Sequence, residues 1–203
     1  MNNRAVFALA VMLAFAAGFM SAEMMKTQTA NHETIIVSNN TKIMALNDRE
    51  YYPVVIEKIN DAKKSIHIVM FEIVWYGNPN TDYHKVSKLG RALTNASKRG
   101  VDVKVILENG WSYGNYKYDK LIEYGKNWSA YFKKYKVQVE FDWSNQTTHD
   151  KLVIIDDRIV IVGSTNWSQS ALNYNHEANA LIESKEVAQQ YEKYFQELWH
   201  DYS

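Results

Sequence analysis

The chain has 203 residues, of which 46% are hydrophobic and 23% are charged, and this composition is typical of one globular domain with a short extension. It contains no cysteine, which excludes structural disulfides, thiolate catalysis and cysteine zinc sites. Its formal net charge is zero, which argues against a surface that is basic all over but leaves room for a local basic patch.

The N-terminus has the features of a targeting segment. Residues 5–22 form an unbroken apolar run directly after Arg4, with a length between that of a signal-peptide core and that of a minimal membrane span. We therefore predict a signal peptide or N-terminal membrane anchor at residues 1–22 and a polar linker at residues 23–33. The protein is then expected to be periplasmic, secreted or associated with a membrane through residues 5–22, and the sequence leaves cleavage of the segment open.

Strands and helices are predicted to alternate from residue 34 to residue 203, which we take as one folded domain. Apolar runs and alternations predict strands at residues 34–38, 65–76, 101–107, 137–141, 152–155, 159–162 and 177–182. Helical spacing predicts helices at residues 48–64, 82–99 and 184–199, with Asp48 and Ser184 as N-caps and Gly100 as the left-handed end of the second helix. This alternation predicts an α/β domain built on a mixed β-sheet.

The polar residues with the clearest chemistry lie between residues 149 and 166. Side chains two apart in a strand share a face, so His149 and Lys151 are expected to point the same way. The two buried strands on either side of the polar turn at residues 156–158 are expected to pair antiparallel. That pairing would return Ser164 and Asn166 to the side of the histidine and the lysine. An imidazole, an ammonium, a hydroxyl and a carboxamide would then converge.

This set resembles the signature of the phospholipase D superfamily, which is His-x-Lys, four residues, Asp, six residues, Gly-Ser and then Asn. The sequence matches it at every fixed position, with His149, Lys151, Asp156, Gly163, Ser164 and Asn166. Residues 59–66 and 99–105 also resemble blocks of that family, so the resemblance covers residues 34–203. It implies a mixed β-sheet sandwiched between helices in an α-β-α domain, and a phosphodiesterase that uses no metal and no other cofactor.

Cleavage of a phosphodiester through a covalent intermediate needs a nucleophile, a proton for the leaving oxygen and donors for the equatorial oxygens. His149 fits the role of nucleophile, because neutral imidazole is nucleophilic near physiological pH, and a phosphohistidine would form. Lys151 would supply positive charge to the phosphate, and Ser164 and Asn166 would supply directional hydrogen bonds.

Two acidic residues complete the set that the resemblance implies. Glu177 stands where similar nucleases carry a glutamate, and it is expected to bond the far nitrogen of His149 and to fix its tautomer. Asp156 belongs to the signature, but we expect it to brace the hairpin turn. A metal site would have to combine His149 with Asp150, Asp156 and Asp157, which strand alternation distributes over different faces.

The sequence has a single His-x-Lys, because none of the other histidines is followed by a lysine two positions later. One imidazole cannot easily be nucleophile and leaving-group acid in the same step. Single-motif members of the family, such as the small bacterial nucleases and their mitochondrial relatives, form a twofold dimer that shares one active site. The resemblance therefore implies a homodimer in which His149 of each subunit faces the other across the axis.

The motif does not distinguish DNA, RNA and phospholipid as the substrate. Residues 111–136 interleave aromatic side chains with lysines, a combination that holds single-stranded nucleic acid without sequence preference. The candidate substrate-binding residues in this segment are Tyr116, Lys117, Lys120, Lys126 and Trp128. Two alternatives remain. The segment can be an amphipathic helix that covers the sheet, because large apolar residues from Leu121 onward recur at helical spacing, or it can face a membrane whose phospholipid is the substrate.

Because short single-motif members of the family are mostly nucleases, the resemblance favours an exported or membrane-anchored dimeric endonuclease. We expect it to cleave DNA, with RNA as an open alternative, and to prefer single strands. A phospholipase D-type lipid hydrolase or transphosphatidylase is the first alternative function. A non-catalytic nucleic-acid-binding protein is the second. The biological role is not specified by the sequence.

Overall fold

A computed structural model describes residues 41–109, 119–142 and 146–202. These residues form a seven-stranded mixed sheet with helices on both faces. The strands are β1 Lys42–Asn47, β2 Ser65–Met70, β3 Asp102–Glu108, β4 Gln138–Asp142, β5 Lys151–Ile155, β6 Ile159–Gly163 and β7 Ala178–Glu183. The helices are α1 Tyr51–Asp61, α2 Lys85–Lys98, α3 Asp119–Lys133, α4 Gln169–Asn173 and α5 Lys185–Tyr202, and a 3-10 turn spans Asp48–Glu50. None of these helices is long and apolar enough to cross a membrane.

The strand order in the sheet is β1-β7-β6-β5-β2-β3-β4. Strands β2, β3 and β4 are parallel, whereas β5 runs antiparallel to β2 and each strand from β5 through β6 and β7 to β1 runs antiparallel to its neighbour. The carboxyl ends of β2, β3, β4 and β6 therefore meet the amino ends of β5 and β7 at one edge of the sheet. We call this edge the motif edge, because His149, Ser164 and Glu177 all lie on the connections that leave or enter it.

Both faces of the sheet are covered. On β2, Ile66, Ile68 and Met70 belong to the main apolar core, which also contains buried residues of α1, α2 and α3. The alternate residue His67 faces α5, where its ring stacks on Phe195 with centroids 4.6 Å apart. Strands that are buried on both faces read as continuous apolar runs, as β2 and β5 do in the sequence. The predicted α/β class and the sandwich of a mixed sheet between helices are confirmed.

The predicted strands differ from the structure in two ways that bear on the site. Strand β1 was not predicted, since it is an edge strand in which only Leu46 is buried and the apolar alternation of a half-buried strand is missing. The strand predicted at residues 65–76 ends at Met70, because the following residues pair with the motif segment instead. The Phe71 amide donates to the Asp150 carbonyl at 2.8 Å, and the Trp167 amide donates to the Glu72 carbonyl at 3.0 Å.

The helix ends test three capping predictions. Gly100 has a φ of +91° and ends α2 in the left-handed conformation, as predicted. Ser184 caps α5 as predicted, since its Oγ accepts from the Val187 amide at 3.4 Å. The prediction for Asp48 is wrong: α1 begins at Tyr51, and the Asp48 carboxylate accepts instead from the Glu177 amide at 2.7 Å. Asp48 thus clamps the segment that carries Glu177.

The remaining predictions fall on residues outside the described ranges. They are the targeting segment at residues 1–22, the linker at residues 23–33, the strand at Thr34–Ser38, and Tyr116 and Lys117. All of these stay predictions.

Candidate active site

The signature lies on an antiparallel hairpin whose register is fixed at both ends. Leu152 pairs with Val162 and Ile155 pairs with Ile159, so β5 and β6 align as the sequence predicts. The turn between them has φ values of +56° at Asp156 and +54° at Asp157, and such mirror-image turns match the right-handed twist of paired strands. Because the strands align, the residue that follows Gly163 is returned to the edge where Lys151 begins β5.

His149 and Lys151 share one face and meet at the ring of Phe71. The imidazole packs against that ring with centroids 4.7 Å apart, and the Lys151 Nζ lies 4.9 Å from its centroid. The same Nζ donates to the His149 carbonyl at 2.6 Å, which fixes the spacing between the two groups. Phe71 was not among the predicted site residues, because it lies inside the strand predicted at residues 65–76, which the structure ends at Met70.

Electrostatics favours the neutral imidazole. Burial lowers the pKa of His149, and the positive charge of Lys151 lowers it further. Burial also lowers the pKa of Lys151, whereas Asp150, Glu177 and Glu72 oppose that shift. A histidine with a pKa below its ordinary value carries a free lone pair at neutral pH, which is the state that a nucleophile needs.

Ser164 bonds the segment that carries Glu177. Its Oγ donates to a carboxylate oxygen of Glu177 and accepts from the Ala178 amide at 3.1 Å. The other carboxylate oxygen of Glu177 accepts from Asn175 Nδ2 at 3.1 Å. Gly163 lets these segments approach, since a Cβ at that position would lie 2.4 Å from the Ala178 carbonyl oxygen. Glycine at this position of the signature is therefore explained by the lack of space for a side chain.

The structure corrects the predicted partner of Glu177. Its carboxylate bonds Ser164 and Asn175, and within the described ranges the His149 ring accepts and donates no hydrogen bond. The reason is the strand order, because β6 lies between β5 and β7. Ser164 stands at the end of β6 and reaches the carboxylate before His149 does. Glu177 nevertheless belongs to the site, because its charge acts on Lys151.

Asn166 presents an unsatisfied polar atom. Its Oδ1 is buried and has no hydrogen-bond partner within the described part of the chain. The preceding residue is held firmly, since Asn179 Nδ2 donates to Thr165 Oγ1 at 2.8 Å and the Thr165 amide donates to Asn179 Oδ1 at 3.2 Å. A buried polar atom without a partner costs roughly 1–3 kcal/mol. A rotation of the carboxamide would present its NH₂ donors at the same place. Asn166 can therefore complete its bonding with a ligand.

Asp156 lies at the opposite end of the hairpin. Its carboxylate accepts from the amides of Lys63 at 2.9 Å, Lys64 at 2.6 Å and Ser65 at 3.1 Å. The whole of β5 lies between it and His149, and a strand of five residues spans roughly 17 Å, at about 3.3 Å per residue. These contacts support the structural role expected for Asp156. The same separation prevents Asp156 and Asp157 from sharing a metal ion with His149.

The candidate substrate-binding residues on α3 divide into two groups. Lys120 and Lys126 are exposed, and Lys120 pairs with Glu123 at 2.8 Å. Trp128 is only 1% exposed, its Nε1 donates to the Val74 carbonyl at 3.3 Å, and its ring fills the space beside Gly90. A substrate-binding role for Trp128 is therefore wrong. The alternative interpretation is confirmed for α3, which buries Leu121, Trp128, Tyr131 and Phe132 against the sheet.

A pair of buried acids fixes the chain just before His149, and the sequence analysis missed it. Glu108 and Asp142 end the neighbouring strands β3 and β4 and are 3% and 2% exposed. The Thr148 amide donates to Glu108 Oε2 at 2.7 Å, and the Thr148 Oγ1 donates to Asp142 Oδ2 at 2.5 Å. An acidic residue directly after each of two apolar strands was the available signal.

Glu72 is a second carboxyl at the motif edge that the sequence analysis missed. It is half-buried, and burial raises the pKa of its carboxyl, whereas the charge of Lys151 lowers it. Its backbone carbonyl accepts from the Trp167 amide, directly after Asn166. A carboxyl whose pKa is raised holds its proton closer to neutral pH than an ordinary glutamate does.

Comparisons with known proteins agree with this arrangement. The model of the family described as cardiolipin synthase, PLD-like domain, matches residues 55–199. A phospholipase D of Rickettsia prowazekii is 31% identical over 137 residues, which are 68% of this chain and 57% of that protein. The mitochondrial cardiolipin hydrolase of Canis lupus familiaris is 28% identical over 116 residues, which are 57% of this chain and 42% of that protein. The chain thus spans about half the length of these relatives.

A solved structure shows the same fold. Nuc from Salmonella typhimurium, a phospholipase D family member, superposes with a TM-score of 0.62 at 24% identity, over 80% of this chain and 97% of that one. The family match covers more than half of the chain and includes both arms of the hairpin with its signature. The chain belongs to the phospholipase D superfamily, whose members are phosphodiester hydrolases, in the family of the cardiolipin synthase PLD-like domain.

Proposed function

We propose that the protein is an endonuclease that cleaves DNA, and also RNA, through a phosphohistidine intermediate on His149 without a metal ion. The single observation that carries this proposal is the grouping at the motif edge. A histidine with a lowered pKa stands beside a lysine, and an unsatisfied carboxamide and a serine lie on the adjoining β6 connection. This set can attack phosphorus and bind the charged oxygens around it.

The proposed reaction has two steps. In the first, the His149 imidazole attacks phosphorus, a P–N bond forms, and the P–O bond to the leaving oxygen breaks as the partner subunit's His149 donates a proton to that oxygen. In the second, the partner subunit's His149 takes a proton from water, the water oxygen attacks phosphorus, and the P–N bond breaks. Lys151, Ser164 and Asn166 would hold the equatorial oxygens in both steps, and one such donor is typically worth about 3 kcal/mol.

A homodimer follows from the need for a second imidazole. The rim of the motif edge supports it, because Tyr174 is 74% exposed and the His176 side chain is 99% exposed directly before Glu177. A large ring that is exposed beside the site gains free energy when another copy covers it. We propose that this rim forms part of the twofold interface. Sedimentation of the wild type as a dimer, and of Tyr174→Glu as an inactive monomer, is the expected result, and a fully active wild-type monomer would contradict it.

Nucleic acid is the proposed substrate because exposed lysines line α3. Lys120, Lys126 and Lys133 project to solvent from the helix that follows β3 at the motif edge. Phospholipid is the second candidate, because the relatives are named phospholipase D and cardiolipin hydrolase. A chain that binds nucleic acid but does not cut it is the third. Export or membrane anchoring through residues 1–22 is likewise proposed, and fractionation of cells with N-terminal sequencing of the protein would test it.

The decisive experiment is a substrate panel with the purified full-length protein in EDTA. Single-stranded DNA, duplex DNA, RNA and cardiolipin vesicles are incubated with the wild type and with His149→Ala. We expect cleavage of single-stranded DNA by the wild type alone, and an acid-labile phosphoprotein after a rapid quench. Release of phosphatidate with all nucleic acids intact would replace the nuclease with a lipid hydrolase, and binding without any cleavage would leave a non-catalytic protein.

A further inference from the structure

A cavity lies away from the signature, between α3 and the segment that follows β2. It has a volume of about 360 Å³, within the range of about 300–1,000 Å³ that is typical of small-ligand sites. The residues that give it chemical character are Trp75, Asn80, Asn127, Tyr131, Lys134 and Tyr135. We call it the ring pocket.

One wall of the ring pocket is a continuous strip of three aromatic rings. The centroids of Trp75 and Tyr131 are 6.3 Å apart, and those of Tyr131 and Tyr135 are 5.2 Å apart. Tyr131 is buried and supports the strip, whereas Trp75 and Tyr135 are half-exposed. The edge contact between Trp75 and Trp128, with centroids 5.0 Å apart, fixes the outer ring. Rigid, half-exposed rings are the surfaces on which bases stack.

The polar part of the ring pocket is made of amides. The Asn127 carboxamide makes no hydrogen bond within the described ranges, and the Asn80 carboxamide makes only a long one, from the Tyr131 hydroxyl at 3.5 Å. A carboxamide offers a donor and an acceptor side by side, which matches the edge of a nucleobase. An acyl chain has no group that could satisfy these amides, so the lining does not favour a lipid tail.

The charge around the ring pocket is positive. Lys134 lines it, and the Lys98 Nζ lies 4.6 Å from the centroid of the Tyr135 ring. No aspartate or glutamate is among the described residues that line the cavity. Aromatic rings with flanking lysines and no opposing carboxylate complement a chain of bases joined by phosphates.

We propose that the ring pocket binds one nucleotide of a single-stranded nucleic acid whose scissile phosphate lies at His149. The base would stack on Tyr135, Asn127 would bond its edge, and Lys134 would contact an adjacent phosphate. The Trp75 end of the pocket adjoins the motif edge, because the Val74 amide donates to the carbonyl of Trp167, next to Asn166. This inference rests on the proposed nuclease function and names a binding site for its substrate.

Binding is measured by fluorescence anisotropy with labelled oligothymidylates in the full-length His149→Ala protein, which removes cleavage from the signal. Tyr135→Ala is expected to raise the Kd for a long strand about tenfold, the loss of one stacked base. Tyr191→Ala removes a half-buried tyrosine from α5 on the other face of the sheet and is the matched control. Lys134→Gln is expected to reduce the slope of log Kd against log salt by about 0.7, the value for one phosphate contact on a single strand.

Kinetics in the active protein separates the ring pocket from the reaction centre. Tyr135→Ala and Asn127→Leu are expected to raise the KM for long single strands and to leave kcat unchanged. Both are expected to hydrolyse bis(4-nitrophenyl) phosphate at the wild-type rate, because that diester is too small to span the two sites. Asn127→Leu keeps the branched shape and the number of heavy atoms of the side chain, so it tests the proposal even if Tyr135→Ala fails to fold.

Two results would contradict the proposal that the ring pocket binds a nucleotide. One is an equal Kd for Tyr135→Ala, Asn127→Leu and Tyr191→Ala. The other is a loss of binding to cardiolipin vesicles in the ring-pocket variants while their DNA binding is unchanged, which would make the cavity a lipid site. A different result would contradict only the proposed nuclease activity. In that case the protein binds single strands tightly and the ring-pocket substitutions weaken this binding, but neither the wild type nor any variant cleaves them.

Discussion

The two ends of the β5–β6 hairpin both carry polar side chains of the signature, but the hydrogen bonding of these side chains differs. At the turn end, the Asp156 carboxylate accepts from three backbone amides and Arg158 pairs with Glu183 at 2.7 Å. At the motif edge, the His149 ring has no hydrogen bond within the described ranges and the Asn166 Oδ1 is buried without a partner. The signature fixes residues at both ends alike. The hydrogen bonding of the signature residues is complete at the turn end and incomplete at the motif edge, where we propose that the reaction takes place.

Cavity size does not make this distinction. A cleft of about 870 Å³ lies at the turn end, lined by Asp156, Arg158 and Glu183 among others, and it is far larger than the ring pocket. The three residues named are already bonded, since the Asp156 carboxylate accepts from backbone amides and Arg158 pairs with Glu183. We therefore place the reaction at the motif edge, where bonding is incomplete.

The largest expected effect is at His149. His149→Ala is expected to lower turnover by on the order of 10⁴-fold, because the nucleophile is lost while the binding groups remain. The thermal midpoint should change little, since the ring packs on Phe71 at the surface. Hydrolysis of bis(4-nitrophenyl) phosphate measures the loss, with His200→Ala on the exposed side of α5 as the control. Activity near that of the wild type would remove His149 from the mechanism.

Asn166→Leu is expected to separate activity from stability. Removal of a donor to the transition state should lower kcat about 10²- to 10³-fold. Replacement of an unsatisfied buried amide by an apolar group of the same branched shape should raise the thermal midpoint, because the cost of the orphaned atom disappears. Asn95→Leu on the exposed face of α2 is the control. A variant that is both less stable and fully active would mean that Asn166 is an ordinary structural residue.

Asp156→Gly, at the other end of the hairpin, is expected to lower stability and to leave activity unchanged. Glycine keeps the positive φ of the turn but removes three charge-assisted hydrogen bonds to solvent-accessible amides, which should cost about 2–3 kcal/mol of unfolding free energy. Turnover per folded molecule should be unchanged. Asp157→Gly is the matched control, because Asp157 has the same φ and no hydrogen bond within the described ranges. Urea denaturation measures both, and equal midpoints would show that Asp156 does not brace the turn.

Sequence patterns predicted the hairpin because its geometry depends only on residues that are close together in the sequence. The spacing from His149 to Asn166 spans two strands and one turn, so period-two alternation and turn chemistry determine the geometry. The contacts of Thr148 and of Glu177 depend on which strands are neighbours, and strand order is a long-range property. On α3, helical spacing predicted one buried face. Helical spacing from Leu121 already placed Trp128 on that face in the alternative interpretation, and Gly90 on α2 leaves the space that its ring fills.

The smallest expected effect concerns Glu72, the carboxyl at the motif edge whose state depends on pH. Burial raises its pKa, so at low pH it is neutral and at higher pH its negative charge stands near Lys151. A phosphate bound by Lys151 is repelled by that charge, so the wild-type KM should rise a few-fold as the pH increases through the pKa of Glu72. Glu72→Gln should keep the low-pH KM at every pH, whereas the exposed Glu197→Gln should behave as the wild type.

The same substitution has a consequence for stability whose sign follows from the direction of the shift. A carboxyl with a raised pKa in the folded state binds its proton more tightly folded than unfolded, so its contribution is present at low pH and is lost as the pH rises. Glu72→Gln should therefore be more stable than the wild type above neutral pH and equal to it in acid. If the KM and the thermal midpoint of Glu72→Gln equal those of the wild type at every pH, the charge of Glu72 does not act on the site. Glu72 would then resemble the fully bonded residues of the turn end.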